Sequence, residues 1–195
     1  MQTTIPSQVI TGVALPRSRV MTAVLVVGFA LLTAAAAQFT VPLPFTPVPI
    51  TGQTFAVLLA GAALGGAAGA GSQLLYVLLG AMGLPFYADG ASGLAVVQGA
   101  TGGYLVGFVI AAGVVGKLAE QHQDRKVATA IPLFLFGNAI IYLFGVPWLA
   151  HSLGVSGTEA ISLGLAPFIV GDLIKVALAG VVLPTAWKLV RKAHR

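Results

Sequence analysis

The chain has 195 residues, of which 57% are hydrophobic and only 8% are charged. A soluble domain carries roughly 25% charged residues, so this composition excludes an ordinary water-soluble fold. Apolar runs of about 18 to 25 residues recur along the chain, and a run of that length crosses a bilayer. We therefore predict an all-α integral membrane protein with one membrane domain over residues 1–195.

The net charge of +5 does not indicate a nucleic-acid partner, because the basic residues lie between the apolar runs. Nine of the ten lie before the first run, near the middle of the chain or after the last run: Arg17, Arg19, Lys117, Arg125, Lys126, Lys188, Arg191, Lys192 and Arg195. If these segments and both termini are cytoplasmic, the outer loops contain no Lys or Arg. This arrangement satisfies the positive-inside rule.

The apolar runs predict six transmembrane helices surrounded by membrane lipid. Their predicted bounds are residues 20–38, 53–69, 71–84, 99–118, 127–149 and 165–190. Prolines at 42, 44, 47 and 49 cannot continue the first helix, so they form an outer loop. Two further outer loops are expected at residues 85–98 and 151–164.

The first predicted helix has two ambiguous features. Arg17 and Arg19, an apolar stretch and the small residues Ala34 to Ala37 together resemble a secretory signal with a cleavage site. We expect the helix to be retained, because it completes an even number of spans. Ala30 and Ala34 share a helical face, which suits either packing inside the bundle or a surface for a partner.

Glycines recur at every fourth residue in two places: Gly61, Gly65 and Gly69, and then Gly99, Gly103 and Gly107. A helical face without side chains allows close approach of a neighbouring helix in lipid. Both series therefore favour packing inside the bundle.

Asp172 and Lys175 are the only Asp, Glu, Lys or Arg residues well inside a predicted span. Such a charge costs roughly 2.5 to 3.5 kcal/mol at the centre of a span. Their i, i+3 spacing places them on one helical face, where they can neutralise each other. One interpretation is a structural ion pair with a polar neighbour such as Asn138. The interpretation we favour is a buried site in which the pair also contacts a ligand.

The sequence does not indicate an enzyme, a metal site or another cofactor. His122, His151 and His194 fall in loops or in the tail and lack the spacing of metal ligands. The sequence also lacks a serine-nucleophile motif and a phosphate-binding loop, so we do not expect this chain to hydrolyse ATP by itself.

Hydrogen-bonding side chains collect at the outer ends of the predicted helices, on the same side as Asp172. At 1.5 Å per residue, Asp172 lies roughly 10 Å below the outer end of its helix, within reach of a cavity that opens outward. We predict that the substrate-binding residues are Asp172, Lys175, Gln53, Tyr87, Asp89, Gln98, Thr101 and Tyr104.

Four motifs follow one another along the chain: Pro47-Val48-Pro49-Ile50-Thr51-Gly52-Gln53-Thr54, Gly83-Leu84-Pro85, Thr101-Gly102-Gly103-Tyr104-Leu105 and Gly171-Asp172-Leu173-Ile174-Lys175. In this combination they resemble the BioY family, the biotin-specific S components of energy-coupling factor (ECF) transporters. The resemblance spans about residues 20–190. The combination is specific, although no single motif is.

The resemblance implies a six-helix protein of the bacterial inner membrane that captures biotin from outside. It also implies a transmembrane coupling protein and cytoplasmic ATPase subunits as partners. Asp172 and Lys175 would contact the ligand, the proline-rich loop would act as a lid, and Ala30 and Ala34 would face the coupling protein. The urea group of biotin, with two N–H donors and one carbonyl acceptor, suits a buried carboxylate and ammonium.

Two departures from the family pattern concern the site. Gly99-Ala100-Thr101 stands where many members have Gly-Pro-Thr, and residues 85–98 contain no Asn or Arg, which some members use to contact the ligand. The alternative function is a self-sufficient secondary transporter or channel, in which Asp172 and Lys175 would relay protons or line a pore.

Overall fold

A bundle of helices forms most of the computed structural model, which describes residues 6, 8–15 and 18–193. The predicted topology markers Arg17 and Arg195, and the loop residue His194, lie outside the described residues. The elements are α1 (Ile10–Ala14), α2 (Arg19–Ala37), β1 (Thr40–Val41), β2 (Ile50–Thr51), α3 (Gln53–Leu64), α4 (Gly66–Ala81), α5 (Leu94–Gln98), α6 (Gly102–Glu120), α7 (Val127–Leu153), α8 (Gly157–Gly164) and α9 (Ile169–Ala193).

Helix α6 lies at the centre of the bundle and packs against α3, α4 and α7. The two glycine series make these contacts possible. A Cβ atom on Gly61 would lie 2.4 Å from the carbonyl oxygen of Ala112, and one on Gly103 would lie 2.4 Å from that of Phe144. Larger residues would force the helices apart, so the predicted packing role is confirmed for Gly61, Gly69, Gly103 and Gly107. Gly65 and Gly99 instead lie at breaks between helices.

Four helical segments among the described residues are long and apolar enough to cross a membrane: Arg19–Ala37, Gly102–Glu120, Val127–Leu153 and Gly157–Val190. Helices α3 and α4 are apolar but shorter, with 12 and 16 residues. Large apolar side chains such as Val24 and Leu178 are exposed on the outside of the bundle, where lipid would cover them. The chain is therefore a multi-pass membrane protein.

The turn between α3 and α4 lies earlier than predicted. Gly65 has a φ of +86°, a conformation that glycine adopts without the steric penalty of a side chain, and α3 ends there. Gly69, which was expected to end the second span, instead lies inside α4. A Cβ atom on Gly69 would lie 2.7 Å from the Cα atom of Gly61, so this glycine serves the contact between the two helices.

The predicted start of the fourth span and the predicted third outer loop were also wrong. The span expected from residue 99 begins at Gly102, because the backbone at Gly99 is extended and separates α5 from α6. The outer loop expected over residues 151–164 is largely helical: α7 continues through Pro147 to Leu153, and α8 follows. The Ser156 side chain accepts a hydrogen bond from the Glu159 backbone N–H at 3.2 Å and so caps α8.

The small-residue face of α2 lies inside the chain. Ala30 is fully buried and Ala34 is 7% exposed, because α2 packs against α3 and α4. The expectation that these two alanines face a partner is therefore corrected. Their small side chains permit close packing within the bundle, which was the other possibility open from sequence.

Candidate ligand-binding cavity

A cavity of about 380 Å³ lies where the loop between β1 and β2 meets the first turns of α3, α6 and α9. The segment before α5 and the middle of α7 complete its wall. Its volume lies in the range of roughly 300–1,000 Å³ that is typical of sites for small molecules. Seven of the eight residues predicted to bind substrate line it: Asp172, Lys175, Gln53, Tyr87, Asp89, Thr101 and Tyr104.

The ion pair predicted from sequence is present in the wall of this cavity. The ammonium nitrogen of Lys175 lies 3.1 Å from Oδ1 of Asp172 and donates a second hydrogen bond, of 3.0 Å, to the Thr54 hydroxyl. Thr54 in turn donates to Oδ1 of Asp172 at 3.4 Å, and the Tyr142 hydroxyl donates to Oδ2. These bonds join α3, α7 and α9 through one polar network.

The network leaves hydrogen-bonding capacity for a ligand. Asp172 is only 6% exposed, and a buried carboxylate without such partners would be strongly destabilising. A carboxylate offers about four acceptor sites and an ammonium has three donors. Lys175 uses two of its donors on Thr54 and Asp172, so one remains for an acceptor on a ligand. The pair can thus present an acceptor and a donor side by side.

The proline-rich loop covers one side of the cavity. It connects β1 to β2, which pair antiparallel with Thr40 opposite Thr51 and Val41 opposite Ile50. The residues Pro47 to Pro49 line the cavity, and Val48 is 7% exposed. The Gly52 N–H donates to the Ala36 carbonyl at 3.2 Å and fastens the end of this hairpin to α2.

The two predicted tyrosines contribute their rings to the cavity, because their hydroxyl groups are bonded elsewhere. The Tyr87 hydroxyl donates to the Val77 carbonyl at 2.6 Å, and the Tyr104 hydroxyl donates to the Gly164 carbonyl at 2.7 Å. Burial raises the pKa of the Tyr87 hydroxyl, which favours its neutral form. The sequence suggested two hydrogen-bonding groups here, whereas the structure offers two aromatic surfaces.

Gln53 is also engaged within the protein. Its amide nitrogen donates to the Tyr76 hydroxyl at 2.5 Å, and its amide oxygen accepts from the Thr51 hydroxyl at 2.8 Å. Gln53 is 7% exposed. These bonds fix the first turn of α3, where Thr54 lies, and so help to position the polar network.

The remaining predicted residues lie nearer the entrance. Asp89 is exposed, and its carboxylate accepts a 2.5 Å hydrogen bond from the Thr40 hydroxyl. Thr101 precedes the first turn of α6. Gln98 is exposed at the end of α5 and is not among the lining residues. The geometry therefore brings Asp89 and Thr101, but not Gln98, to the cavity.

Sequence reasoning missed Tyr142 as a partner of Asp172. Asn138 was suggested as the polar neighbour, but the α7 residue that bonds Asp172 is Tyr142, one helical turn further on. The Tyr142 ring also packs edge-on against the Tyr104 ring, with centroids 6.3 Å apart. The polar hydroxyl of Tyr142, among apolar residues in the middle of a predicted span, was the signal that could have identified this residue.

The described residues contain no group of three or more His, Cys, Asp or Glu side chains that could hold a metal ion. The cavity instead combines one ion pair with apolar side chains, among them Phe108, Ile141 and Phe168. Such a lining suits an uncharged polar ring attached to an apolar chain.

Comparison with known proteins matches this chain to one family. The BioY family model matches residues 7–192. The biotin transporter BioY of Rhodobacter capsulatus is 43% identical over 155 residues, covering 74% of this chain and 81% of the relative. That of Rhizobium etli is 38% identical over 149 residues, covering 73% of this chain and 79% of the relative.

A crystal structure of the S-component for biotin from an ECF-type ABC transporter has the same fold. It superposes with a TM-score of 0.78 at 26% sequence identity, covering 87% of this chain and 92% of that chain. With a family match over nearly all its residues and relatives well above 30% identity, this chain belongs to the BioY family.

Proposed function

We propose that this chain binds biotin in the described cavity and takes part in biotin uptake as the S component of an ECF-type transporter. The observation that carries the proposal is the Asp172–Lys175 pair in the wall of an otherwise largely apolar cavity. Membership of a family of transporter S components, together with relatives named biotin transporters, supports it. In this proposal the chain is a binding protein and not an enzyme.

The urea group of biotin suits the Asp172–Lys175 network. In our proposal a urea N–H donates to the Asp172 carboxylate, and the urea carbonyl accepts the remaining Lys175 donor. The sulfur-containing ring and the aliphatic chain pack against the rings of Tyr87 and Tyr104. The other predicted contacts, Gln53 and Thr101, would position the network or hydrogen-bond the ligand directly. Gln98 has no support from the cavity geometry and remains a prediction from sequence.

Transport requires the ligand to reach the other side of the membrane, and this chain carries no nucleotide-binding motif. We therefore propose that it works with a transmembrane coupling protein and cytoplasmic ATPase subunits in the bacterial inner membrane. Helices α2, α3, α4, α6, α7 and α9 would be the six membrane-spanning helices, with both termini in the cytoplasm and the cavity open to the outside. The distribution of Lys and Arg supports this orientation.

The binding proposal is tested by calorimetric titration of the purified protein with biotin and, separately, with vitamins that lack a cyclic urea. Of these vitamins, we expect only biotin to bind tightly. A matched pair of variants locates the site: Asp172→Asn removes the charge of the network, whereas Glu159→Gln removes an exposed charge outside the cavity. Biotin affinity should fall only in Asp172→Asn, and equal affinities in the two variants would contradict the assignment.

The dependence on partners is tested by reconstituting the chain alone into lipid vesicles. We expect biotin binding but little accumulation, with no strong response to an imposed proton or sodium gradient. A self-sufficient carrier would accumulate biotin under a pH gradient, and Asp172→Asn would abolish that accumulation while sparing part of the binding. Strong accumulation by the isolated chain would disprove the dependence on ATPases even if biotin were the ligand.

A further inference from the structure

The cavity has an unequal distribution of charge. Its charged lining residues are Asp172, Lys175 and Asp89, so two carboxylates face one ammonium and the formal net charge is −1. Asp172 and Lys175 form an ion pair deep in the wall. Asp89 is exposed near the entrance. Among the described lining residues the one Lys or Arg is Lys175, which is paired with Asp172.

The position of the ion pair defines how a ligand of the proposed kind would lie. This step rests on the proposed function. A urea group offers both donors and an acceptor and so matches the buried Asp172 and Lys175, whereas a carboxylate there would be placed beside the Asp172 carboxylate. The ring therefore occupies the deep end, and the side chain of the ligand extends toward the entrance. The group that ends this side chain consequently lies on the side of Asp89.

The carboxylate of Asp89 is held in place at the entrance. Asp89 has a φ of +56°, a left-handed conformation that Asp adopts more readily than most residues. The Thr40 hydroxyl donates to its Oδ1 at 2.5 Å and joins its loop to β1. Asp89 is also a lining residue, so it contributes a negative charge to the wall of the cavity.

We propose that Asp89 selects against a negatively charged ligand tail. The preferred ligand class is then a bicyclic urea whose side chain ends in an uncharged or cationic group, such as an amide of biotin. Biotin still binds, because the ring contacts are common to both forms. Its tail carboxylate, however, is repelled by Asp89, whereas the tail of an amide is not.

Calorimetric titration with biotin, biotinamide and N-(2-aminoethyl)biotinamide tests this inference. For the unchanged protein at low salt we expect the dissociation constant of biotin to exceed that of biotinamide by about three- to tenfold, the effect of one nearby charge in partly aqueous surroundings. The cationic amide should bind at least as tightly as biotinamide. Added salt should reduce the ratio, because it screens exposed charges.

Three variants separate charge from structure. Asp89→Asn removes the charge, keeps an oxygen acceptor for Thr40 and tolerates the left-handed backbone, so the ratio should fall to about one. Thr40→Val removes the hydrogen bond but keeps the charge, and Glu159→Gln removes a charge outside the cavity. Both should retain the ratio of the unchanged protein.

A dissociation constant for biotin equal to or below that of biotinamide in the unchanged protein would overturn the inference. An unchanged ratio in Asp89→Asn would do so as well. Either result would leave the proposed function intact, provided that biotin binds. Failure of all three compounds to bind would instead disprove the proposed function, and the inference with it.

Discussion

Tyr142 of α7 donates a hydrogen bond to Asp172 of α9, and both residues border the cavity and a second, apolar groove lined by α7, α8 and α9. Their hydrogen bond therefore lies in the wall that separates the cavity from the groove. Because the same carboxylate accepts from Lys175 and Thr54, the geometry of the ligand-binding network depends on how α7 packs against α9.

Replacing Asp172 by Ala should reduce biotin affinity more than most changes in the cavity. The substitution removes an acceptor for the ligand and leaves Lys175 without its carboxylate partner in a largely buried site. We expect a loss of at least about 2 kcal/mol, which corresponds to a dissociation constant raised at least about 30-fold. Calorimetry on the folded variant measures this, and unchanged affinity would disprove the site assignment.

Tyr142→Phe should weaken biotin binding while preserving the packing of the ring. It removes the donor to Oδ2 of Asp172, and the loss of such a bond to a charged group costs about 1 to 3 kcal/mol. Tyr104→Phe is the matched control, because its hydroxyl bonds the Gly164 carbonyl and not Asp172. The dissociation constant should rise more in Tyr142→Phe, and an equal effect in both variants would contradict this role.

Ala34→Leu should destabilise the protein, because Ala34 is buried where α2 packs in the bundle. Overpacking of this kind costs about 1 to 3 kcal/mol. Gly28→Leu is the control on the same helix, since a Cβ atom there meets nothing within 4 Å. Thermal unfolding in detergent should show a lower midpoint only for Ala34→Leu.

The Gly28→Leu variant also tests whether a coupling protein contacts α2. If the exposed face of α2 meets that partner, Gly28→Leu should lower uptake in cells while biotin binding stays intact. Equal uptake in Gly28→Leu and the unchanged protein would show that this face does not mediate coupling.

The stability of the protein should fall as the pH rises because of Asp124, in the segment between α6 and α7. This carboxyl is fully buried, and burial raises its pKa despite a 2.6 Å hydrogen bond from Trp187 and the nearby charges of Arg125 and His122. Above the unfolded-state pKa of roughly 3.9, the unfolded chain releases the proton first, so the folded state loses stability as the pH rises through the folded pKa.

Asp124→Asn should remove this dependence, because an amide cannot ionise and its oxygen can still accept from Trp187. The difference in unfolding midpoint between Asp124→Asn and the unchanged protein should grow in favour of the variant as the pH rises above the unfolded-state pKa. Glu159→Gln, which changes an exposed acid, should follow the unchanged protein. A difference in midpoint that stays constant as the pH rises would contradict the prediction.

Sequence alone determined the features that depend on the lipid environment of the protein. Apolar runs, a shortage of charge and the placement of Lys and Arg identified a multi-pass membrane protein, because transfer into lipid penalises each charged residue regardless of its neighbours. That penalty is also why Asp172 and Lys175 were recognisable as exceptional. Their i, i+3 spacing predicted the contact that the structure contains.

The tertiary structure decided what depends on which surfaces meet. Only the packing of α2 against α3 and α4 shows that the face with Ala30 and Ala34 is internal, since a small-residue face suits a neighbour in the same chain or in another. In the same way, the Tyr87 and Tyr104 hydroxyls bond backbone carbonyls of other segments. Which partner a polar group takes depends on distances between segments far apart in sequence, and a one-dimensional pattern does not contain those distances.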